Sequence, residues 1–487
     1  MKIILMRPSF KSHDGFLGTD HFALPNIGLG IIAAVLLGEG HRVIIRDPQA
    51  EGIGFGAMLE FLRAEQPDIL GLSVVSMDFS GAVRLGKAVR EHLPATRIIL
   101  GGPHFHNRSD ALLDANPWFD FLVVGEGDHT LSRLIAGGFR EEACADIPGL
   151  VYRNTAAGRA VANGLSVVED LDALPLPAYH LYPKPLQWYR PAVNNYKRLP
   201  NAAIITSRGC PSKCIYCQGS LYRRMVRSNS PDYVLKHIRL LMSEYGIRDL
   251  LFFDDVFTLN RRRLLTICDA MIRDKFDLTW GCFVKINRVI DQDVLLKMKQ
   301  AGCWLIMPGI ESGSEAVLDL LGKHQSMDEV RRICHMADQL RIQVRPSFML
   351  GVPGETRETL QQTIDLALSL PVTHIGITYF SPLPGTPVWD NAEQYGAFQR
   401  DNTDAIHTTS ARIPFVPHGL ERKDLEHQMD RLYARFYFRF SWLWRQFRYL
   451  DGYEAIKLLR GLLIALRLRV HLLRHGRIGM VLFGRSQ

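Results

Sequence analysis

Cys210, Cys214 and Cys217 stand in the run Ser207-Arg-Gly-Cys-Pro-Ser-Lys-Cys-Ile-Tyr-Cys. Soft thiolates select iron–sulfur centres or zinc. Structural zinc takes four protein ligands, and the next candidate ligand along the chain is as far off as His237. The spacing therefore points to three thiolates holding three irons of a 4Fe–4S cube, with the fourth iron open to a small molecule. Gly209 and Pro211 mark an exposed loop after a strand, which argues against the plain alternative of three buried cysteines in a turn.

With the aromatic Tyr216 just before the last cysteine, this motif resembles that of the radical S-adenosylmethionine superfamily. The region before it looks like a cobalamin-binding domain. The chain is thus similar to the cobalamin-dependent radical enzymes, a group that includes class B methyltransferases and the anaerobic cyclase of Mg-protoporphyrin monomethyl ester. The resemblance runs from about residue 1 to residue 390. It implies a 4Fe–4S cluster, S-adenosylmethionine and cobalamin as cofactors, with Cys210, Cys214 and Cys217 as metal ligands.

Further site residues follow from what those ligands need. Asp254 and Asp255, in Phe-Phe-Asp-Asp, are expected to accept the donor's amino group. Glu311 and Ser312, in Gly-Ile-Glu-Ser-Gly-Ser, are expected near its ribose. Gly351, Gly354 and Glu355, in Leu-Gly-Val-Pro-Gly-Glu-Thr, resemble the segment that touches adenine, and Phe380-Ser-Pro-Leu-Pro-Gly-Thr resembles the last rim loop. Ser73, Gly101 and Gly102, with Gly125 and Glu126, match the serine and glycine positions of cobalamin domains; small residues there let the backbone approach a flat macrocycle. The Asp-x-His-x-x-Gly loop that supplies histidine to cobalt is absent between Pro8 and Gly28, where His13 and His21 fall outside the pattern. The resemblance then implies cobalamin bound without a protein histidine below the metal.

These residues need scaffolds that present strand ends. Apolar runs at Lys2–Met6, His41–Arg46, Ile69–Ser73, Arg97–Leu100 and Phe121–Val124 alternate with helical patterns at Gly28–Leu37, Ala57–Glu65, Ser80–Leu93 and Ser109–Asn116. That alternation predicts an α/β fold, a doubly wound parallel sheet, over residues 1–145. Prolines in Leu174-Pro-Leu-Pro, Tyr182-Pro-Lys-Pro and at Pro191 predict an extended linker within 146–200. Six further strand runs (Ala202–Ser207, Asp249–Asp254, Thr279–Lys285, Cys303–Ile310, Val344–Leu350 and His374–Phe380) are separated by helices such as Pro231–Tyr245 and Met327–Leu340. They predict a partial (β/α)6 barrel over 201–390, with its site at the carboxyl-terminal face.

The 487 residues allow two or three domains. Eight cysteines in a chain with a strand-like Met1-Lys-Ile-Ile-Leu-Met opening suit a reducing, cytoplasmic setting rather than a disulfide framework. Cys144, Cys268, Cys282, Cys303 and Cys334 lack ligand spacing and read as core, which argues against auxiliary clusters. Residues 421–487 hold 14 Lys/Arg against 6 Asp/Glu, so the whole net charge of +8 lies in the tail. Between Arg431 and Tyr449 stand Tyr433, Phe436, Tyr437, Phe438, Phe440, Trp442, Trp444 and Phe447, with Arg431, Arg435 and Arg439 on one helical face. A second basic helix is expected over Glu454–Leu473, with Arg460, Arg467 and Arg469. The helical region 391–487 fits contact with an anionic membrane surface as well as packing on the barrel with its arginines solvated.

The expected reaction is methyl transfer to an unactivated carbon of a hydrophobic small molecule, such as a hopanoid-like lipid or a porphyrin. A 5′-deoxyadenosyl radical would abstract hydrogen, methylcobalamin would supply methyl, and an electron donor such as flavodoxin or ferredoxin would reduce the cluster. An oxidative ring-forming reaction is the alternative in the same family. RNA modification would need an RNA-binding domain that is not visible, so no nucleic-acid partner is expected. A cobalamin sensor without catalysis is the remaining alternative, and it would not cleave S-adenosylmethionine.

Overall fold

The computed structural model describes residues 1–10, 24–105, 110–189, 195–221, 225–399 and 413–449. Among them the chain divides into two units. One holds the chain up to Tyr189 together with Leu221–Asn229; the other holds the cysteine loop and everything from Ser230 onward.

The first unit is built on strands β1 (Lys2–Met6), β2 (Arg42–Arg46), β3 (Ile69–Ser73), β4 (Arg97–Gly101), β5 (Phe121–Val123), β6 (Leu150–Asn154) and β7 (Arg159–Ala162), in sheet order 2-1-3-4-5-6-7. The first five are parallel. Ile3 pairs with both Val43 and Ile69, so β1 is central and its apolar run is buried, as a strand covered on both faces requires. The strand order reverses between β1 and β3, which marks the crevice where doubly wound sheets bind ligands. Met58, Leu62, Leu85, Val89 and Phe119 pack on the sheet to form its core.

The sheet does not stop near residue 145. The hairpin β6–β7 adds antiparallel to β5, so part of the expected linker belongs to the first unit. The proline-rich stretch after it folds back as well. Tyr182 OH donates to Asn26 O at 2.7 Å, and a Cβ at Gly30 would lie 2.6 Å from that hydroxyl. Leu221–Asn229 returns to the same unit through Arg227, which donates to both oxygens of Glu126 at 2.8 and 2.7 Å.

In the second unit six parallel strands follow in sequence order: β8 (Asn201–Ile204), β9 (Asp249–Phe252), β10 (Thr279–Val284), β11 (Cys303–Glu311), then β13 (Ser347–Leu350) and β14 (Gly376–Tyr379), with the short β12 (Gln343–Val344) beside β11. Sequential parallel strands joined by helices form an open part of a barrel. Register shifts at Trp280/Gly281 and at Gly309/Glu311 bend the sheet. The helices begin where local chemistry tells them to. Ser230, Asn260, Asp291 and Thr356 each accept a backbone N–H as N-caps, a contact worth about 1 kcal/mol. Cys268, Cys282, Cys303 and Cys334 are buried core thiols.

The first part of the tail packs on this barrel. An antiparallel ribbon, β15 (Gly396–Phe398) with β16 (Phe415–Pro417), precedes a helix over Arg422–Tyr437. That helix buries Leu425, Met429, Leu432 and Phe436. Trp442 Nε1 donates to Thr373 O at 2.8 Å. Arg445 and Arg448 each reach Asp338 at 3.2 Å, and Tyr449 OH donates to it at 2.8 Å. The aromatics are thus divided: Tyr437 and Trp442 serve packing, whereas Phe440 and Trp444 are 83% and 71% exposed. Arg439 is not merely solvated, since it donates to Leu368 O. The expected helix Glu454–Leu473, with Arg460, Arg467 and Arg469, lies outside the described residues, as do His13 and His21. Among the described residues no helix is long and apolar enough to cross a membrane.

Candidate active site

The cysteine loop starts at the carboxyl end of β8, and buried polar contacts fix its take-off. Asp254, just past β9, accepts from Thr206 N–H at 2.6 Å, from Thr206 Oγ1 at 2.7 Å and from Ser207 Oγ at 2.7 Å. Arg263 donates to Thr206 O at 2.9 Å and to Thr206 Oγ1 at 2.8 Å. Burial raises the Asp254 carboxyl above its ordinary range, against those hydrogen bonds and the Arg263 charge. Asp254 is therefore a brace for the loop and does not line the cavity beyond it, unlike Asp255.

Further along, Ile215 N–H donates to Leu321 O at 3.0 Å and Lys285 Nζ to Ser212 Oγ at 2.8 Å. Gly322, with φ of +68°, allows close approach, because a Cβ there would lie 2.6 Å from Lys213 O. Pinned this way, Cys210, Cys214 and Cys217 line one cavity of about 400 Å³, a size ordinary for small-molecule sites. Cys214 is buried; Cys217 is exposed over the residue as a whole, with its thiol set among Cys214, Asp255 and Cys210. Desolvation, opposed by the Gly219 N–H and reinforced by Cys214, Asp255 and Cys210, pushes the Cys217 thiol up to about 11.

Three crowded thiols at the edge of an open cavity fit a cluster. A cubane is gripped by thiolates at separate corners, and the three cysteines share one cavity.

Glu311 also lines the cavity, at the end of β11 with φ of +72°. Its Oε1 is 3.3 Å from Lys323 Nζ, which is 3.5 Å from Tyr216 OH. Ser312 is buried away from the cavity, bonded to Thr363 Oγ1 at 3.3 Å and to Ser314 N–H at 3.2 Å. Gly351 and Gly354, at φ of +81° and +75°, shape the turn after β13. Glu355 closes that turn by accepting from Gly351 N–H at 2.5 Å and from Val352 N–H at 3.3 Å. Full burial pushes its carboxyl up to about 8. The structure thus brings the three cysteines, Asp255 and Glu311 into one space, while Asp254, Ser312, Gly351, Gly354 and Glu355 are not among its lining residues. Sequence reasoning missed Lys285, Lys323 and Arg345, which also line the cavity.

In the first unit, Ser73 Oγ accepts from Asn26 Nδ2 at 3.1 Å, beside the start of the helix Ile27–Gly38 that Asn26 caps. Helix starts of this kind suit anionic groups. Gly102 has φ of +104°, and a Cβ there would come 2.6 Å from Val74 N and O. Gly101 differs, since its Cβ would touch only Val123, at 3.7 Å, and would otherwise project into open space. Gly125, with φ of +97°, packs on Ser166 O. The bare edge at Gly101, next to the topological switch, fits the close approach of a large ring. Glu126 departs from its expected role, because its carboxylate is engaged by Arg227 and by Val168 N–H at 2.7 Å.

Residues 204–367 match the family model of the radical SAM superfamily. The chain therefore carries a radical SAM domain, which implies a 4Fe–4S cluster and S-adenosylmethionine as its working parts. Residues 15–135 match the B12 binding domain, which implies cobalamin as a further cofactor of the chain. Among its relatives, a protein of Pyrococcus horikoshii named an uncharacterized methyltransferase is 28% identical, over 95% of this chain and 98% of its own length. The anaerobic magnesium-protoporphyrin IX monomethyl ester cyclase of Rubrivivax gelatinosus is 23% identical, over 96% of this chain and 82% of its own. The fold is similar to that of the cobalamin-dependent S-adenosylmethionine radical enzyme OxsB with aqua-cobalamin bound, at a TM-score of 0.69 and 16% identity, covering 97% of this chain and 72% of that one.

Proposed function

We propose that the chain is a C-methyltransferase acting on an unactivated carbon of a hydrophobic small molecule. The single observation that carries this reading is the cavity that Cys210, Cys214 and Cys217 share with Asp255 and Glu311. When bound, the cluster and cobalamin supply, respectively, the electron that splits S-adenosylmethionine and the methyl group that is transferred. Cys210, Cys214 and Cys217 would hold the cluster; Ser73 and Gly101 would meet the corrinoid, with Gly102 and Gly125 fixing the backbone of the strand ends beside it. Asp255, rather than the fully engaged Asp254, would accept the donor's amino group. Lys285 and Lys323, tied to the cysteine loop, are the cations suited to its carboxylate. The apolar Phe283 and Met307 help line the cavity and would exclude water from a reactive carbon.

Near-complete mutual coverage with the relative named a methyltransferase favours this reaction over ring formation. Incubating the reduced protein with methyl-labelled S-adenosylmethionine and a hydrophobic extract of its source tests it. Label in a product carbon is expected; a dehydrogenated or cyclised product without label would favour the cyclase reading. The exposed Phe440 and Trp444 support contact of the tail with a lipid surface, which flotation on anionic vesicles would test. A small one-electron protein such as flavodoxin or ferredoxin is the reductant this reading requires.

A further inference from the structure

Three cations line the barrel cavity, and two of them are tied to the cysteine loop. Lys285 bonds Ser212, and Lys323 bonds Tyr216 and Glu311. Arg345, just before Pro346, is the third and has neither link. Among the described residues no carboxylate pairs with it, and its Nη1 is shut off from solvent without an acceptor. Burial lowers its pKa, and the groups that weigh against this are Tyr437 and Tyr433, not acids. A guanidinium keeps its charge across the accessible pH range, and a desolvated charge without a counter-charge is costly.

The surface beside it is bare at Gly376. Gly309, Ser347 and Gly376 stand in register across β11, β13 and β14, and all three line the cavity. A Cβ at Gly376 would meet nothing nearer than Pro346 O at 3.8 Å, whereas one at Gly309 would lie 2.3 Å from Glu311 Oε1, so the floor is open to an apolar body on the Ser347–Gly376 side and covered by the Glu311–Lys323 pair at Gly309. Met307 and Pro308 continue it.

We propose that Arg345 recognises an oxyanion, a carboxylate or phosphoryl group, on the substrate, whose apolar part lies over the Ser347–Gly376 side of the floor. The inference rests on the radical-transfer reading of this cavity and narrows the substrate from hydrophobic to amphipathic, with an anionic group at one end. The sulfonium donor has a carboxylate of its own, but the lysines joined to the cysteine loop are the cations that serve it.

Labelling of the reconstituted full chain with p-hydroxyphenylglyoxal, read at the Arg345 peptide by mass spectrometry, tests this. Octanoate, octyl phosphate, octanol and S-adenosylmethionine are added separately. By forming a charge-assisted pair, one or both anions should slow labelling of Arg345 saturably, by about tenfold when present at about ten times the Kd, and the better one identifies the oxyanion. Octanol and S-adenosylmethionine should leave the rate within about twofold, because neither supplies that pair. Arg345 that never labels, equal rates throughout, or protection by octanol or S-adenosylmethionine as strong as by the anions would each overturn the proposal. Cleavage of S-adenosylmethionine by the same preparation is read in parallel. Intact cleavage with a failed labelling pattern removes the anion site alone, whereas absent cleavage removes the functional reading.

Discussion

Glu311 and Lys323 form an ion pair of 3.3 Å inside the barrel cavity, with Glu311 held at φ of +72° where β11 breaks register. Both side chains are largely withdrawn from water, so the pair is more than a surface contact. Replacing Lys323 by Met should raise KM for S-adenosylmethionine about tenfold with a smaller change in kcat, as expected for loss of uniform binding. Initial rates of 5′-deoxyadenosine release measure this; an unchanged KM would remove Lys323 from donor binding.

Asp254 and Asp255 are adjacent in sequence and separable by experiment. Asp254→Asn strips a buried acceptor from three donors and should cost about 1–3 kcal/mol of stability, visible as a lower Tm and a reduced iron content after reconstitution. Asp255→Asn keeps an oxygen to accept from Gly209 N–H, so it should lower Tm less than Asp254→Asn and weaken binding of S-adenosylmethionine. Equal losses of stability in both variants would contradict the division into brace and lining residue.

Gly101 and Gly102 offer a matching contrast in the first unit. Gly102→Ala forces a Cβ to within 2.6 Å of Val74 backbone atoms at φ of +104°, a strain of about 1–3 kcal/mol, and should lower stability. Gly101→Ala has room for its methyl group, and should keep Tm while weakening corrinoid uptake. Absorbance titration with hydroxocobalamin checks both. Unaltered uptake by Gly101→Ala would show that the corrinoid does not sit against this edge.

Glu355 predicts a pH dependence. Its carboxyl, ordinarily near 4.5, is pushed up to about 8 by burial. Below the unfolded value both states are neutral and no penalty arises. As pH rises from there towards 8 the unfolded chain ionises first, so stability falls across that window and levels off above it. A shift of this size amounts to at most about 5 kcal/mol. Chemical denaturation between pH 5 and 8 should show the decline in the wild type and a flatter profile in Glu355→Gln. Parallel profiles would contradict the assignment.

The sequence announces its framework where one physical signal dominates. The buried strands β1 and β3 are continuous apolar runs, and the helix over Pro231–Tyr245 is bounded by Ser230 and Gly246, so cap chemistry prints both of its ends. The hairpin β6–β7 is hidden because Arg153, Asn154 and Arg159 make its strands short and half polar, and a proline-rich segment follows. The same holds at the site. The cysteines are legible because spacing alone defines them. Lys285, Lys323 and Arg345 are single cations without periodicity, and only the barrel's curvature brings them together. Glu126 and Arg227 lie 101 residues apart, and nothing local tells that the glutamate is engaged in an ion pair.

The central claim is that three thiols hold a cubane with one iron left for the sulfonium donor. Mössbauer spectra of protein reconstituted anaerobically with enriched iron, taken before and after S-adenosylmethionine is added, test it most directly. A single 4Fe–4S centre per chain is expected, with the signal of one iron site moving when the donor binds, and with the centre lost in Cys214→Ala. A spectrum without a cubane, or one that S-adenosylmethionine leaves unmoved, would contradict it.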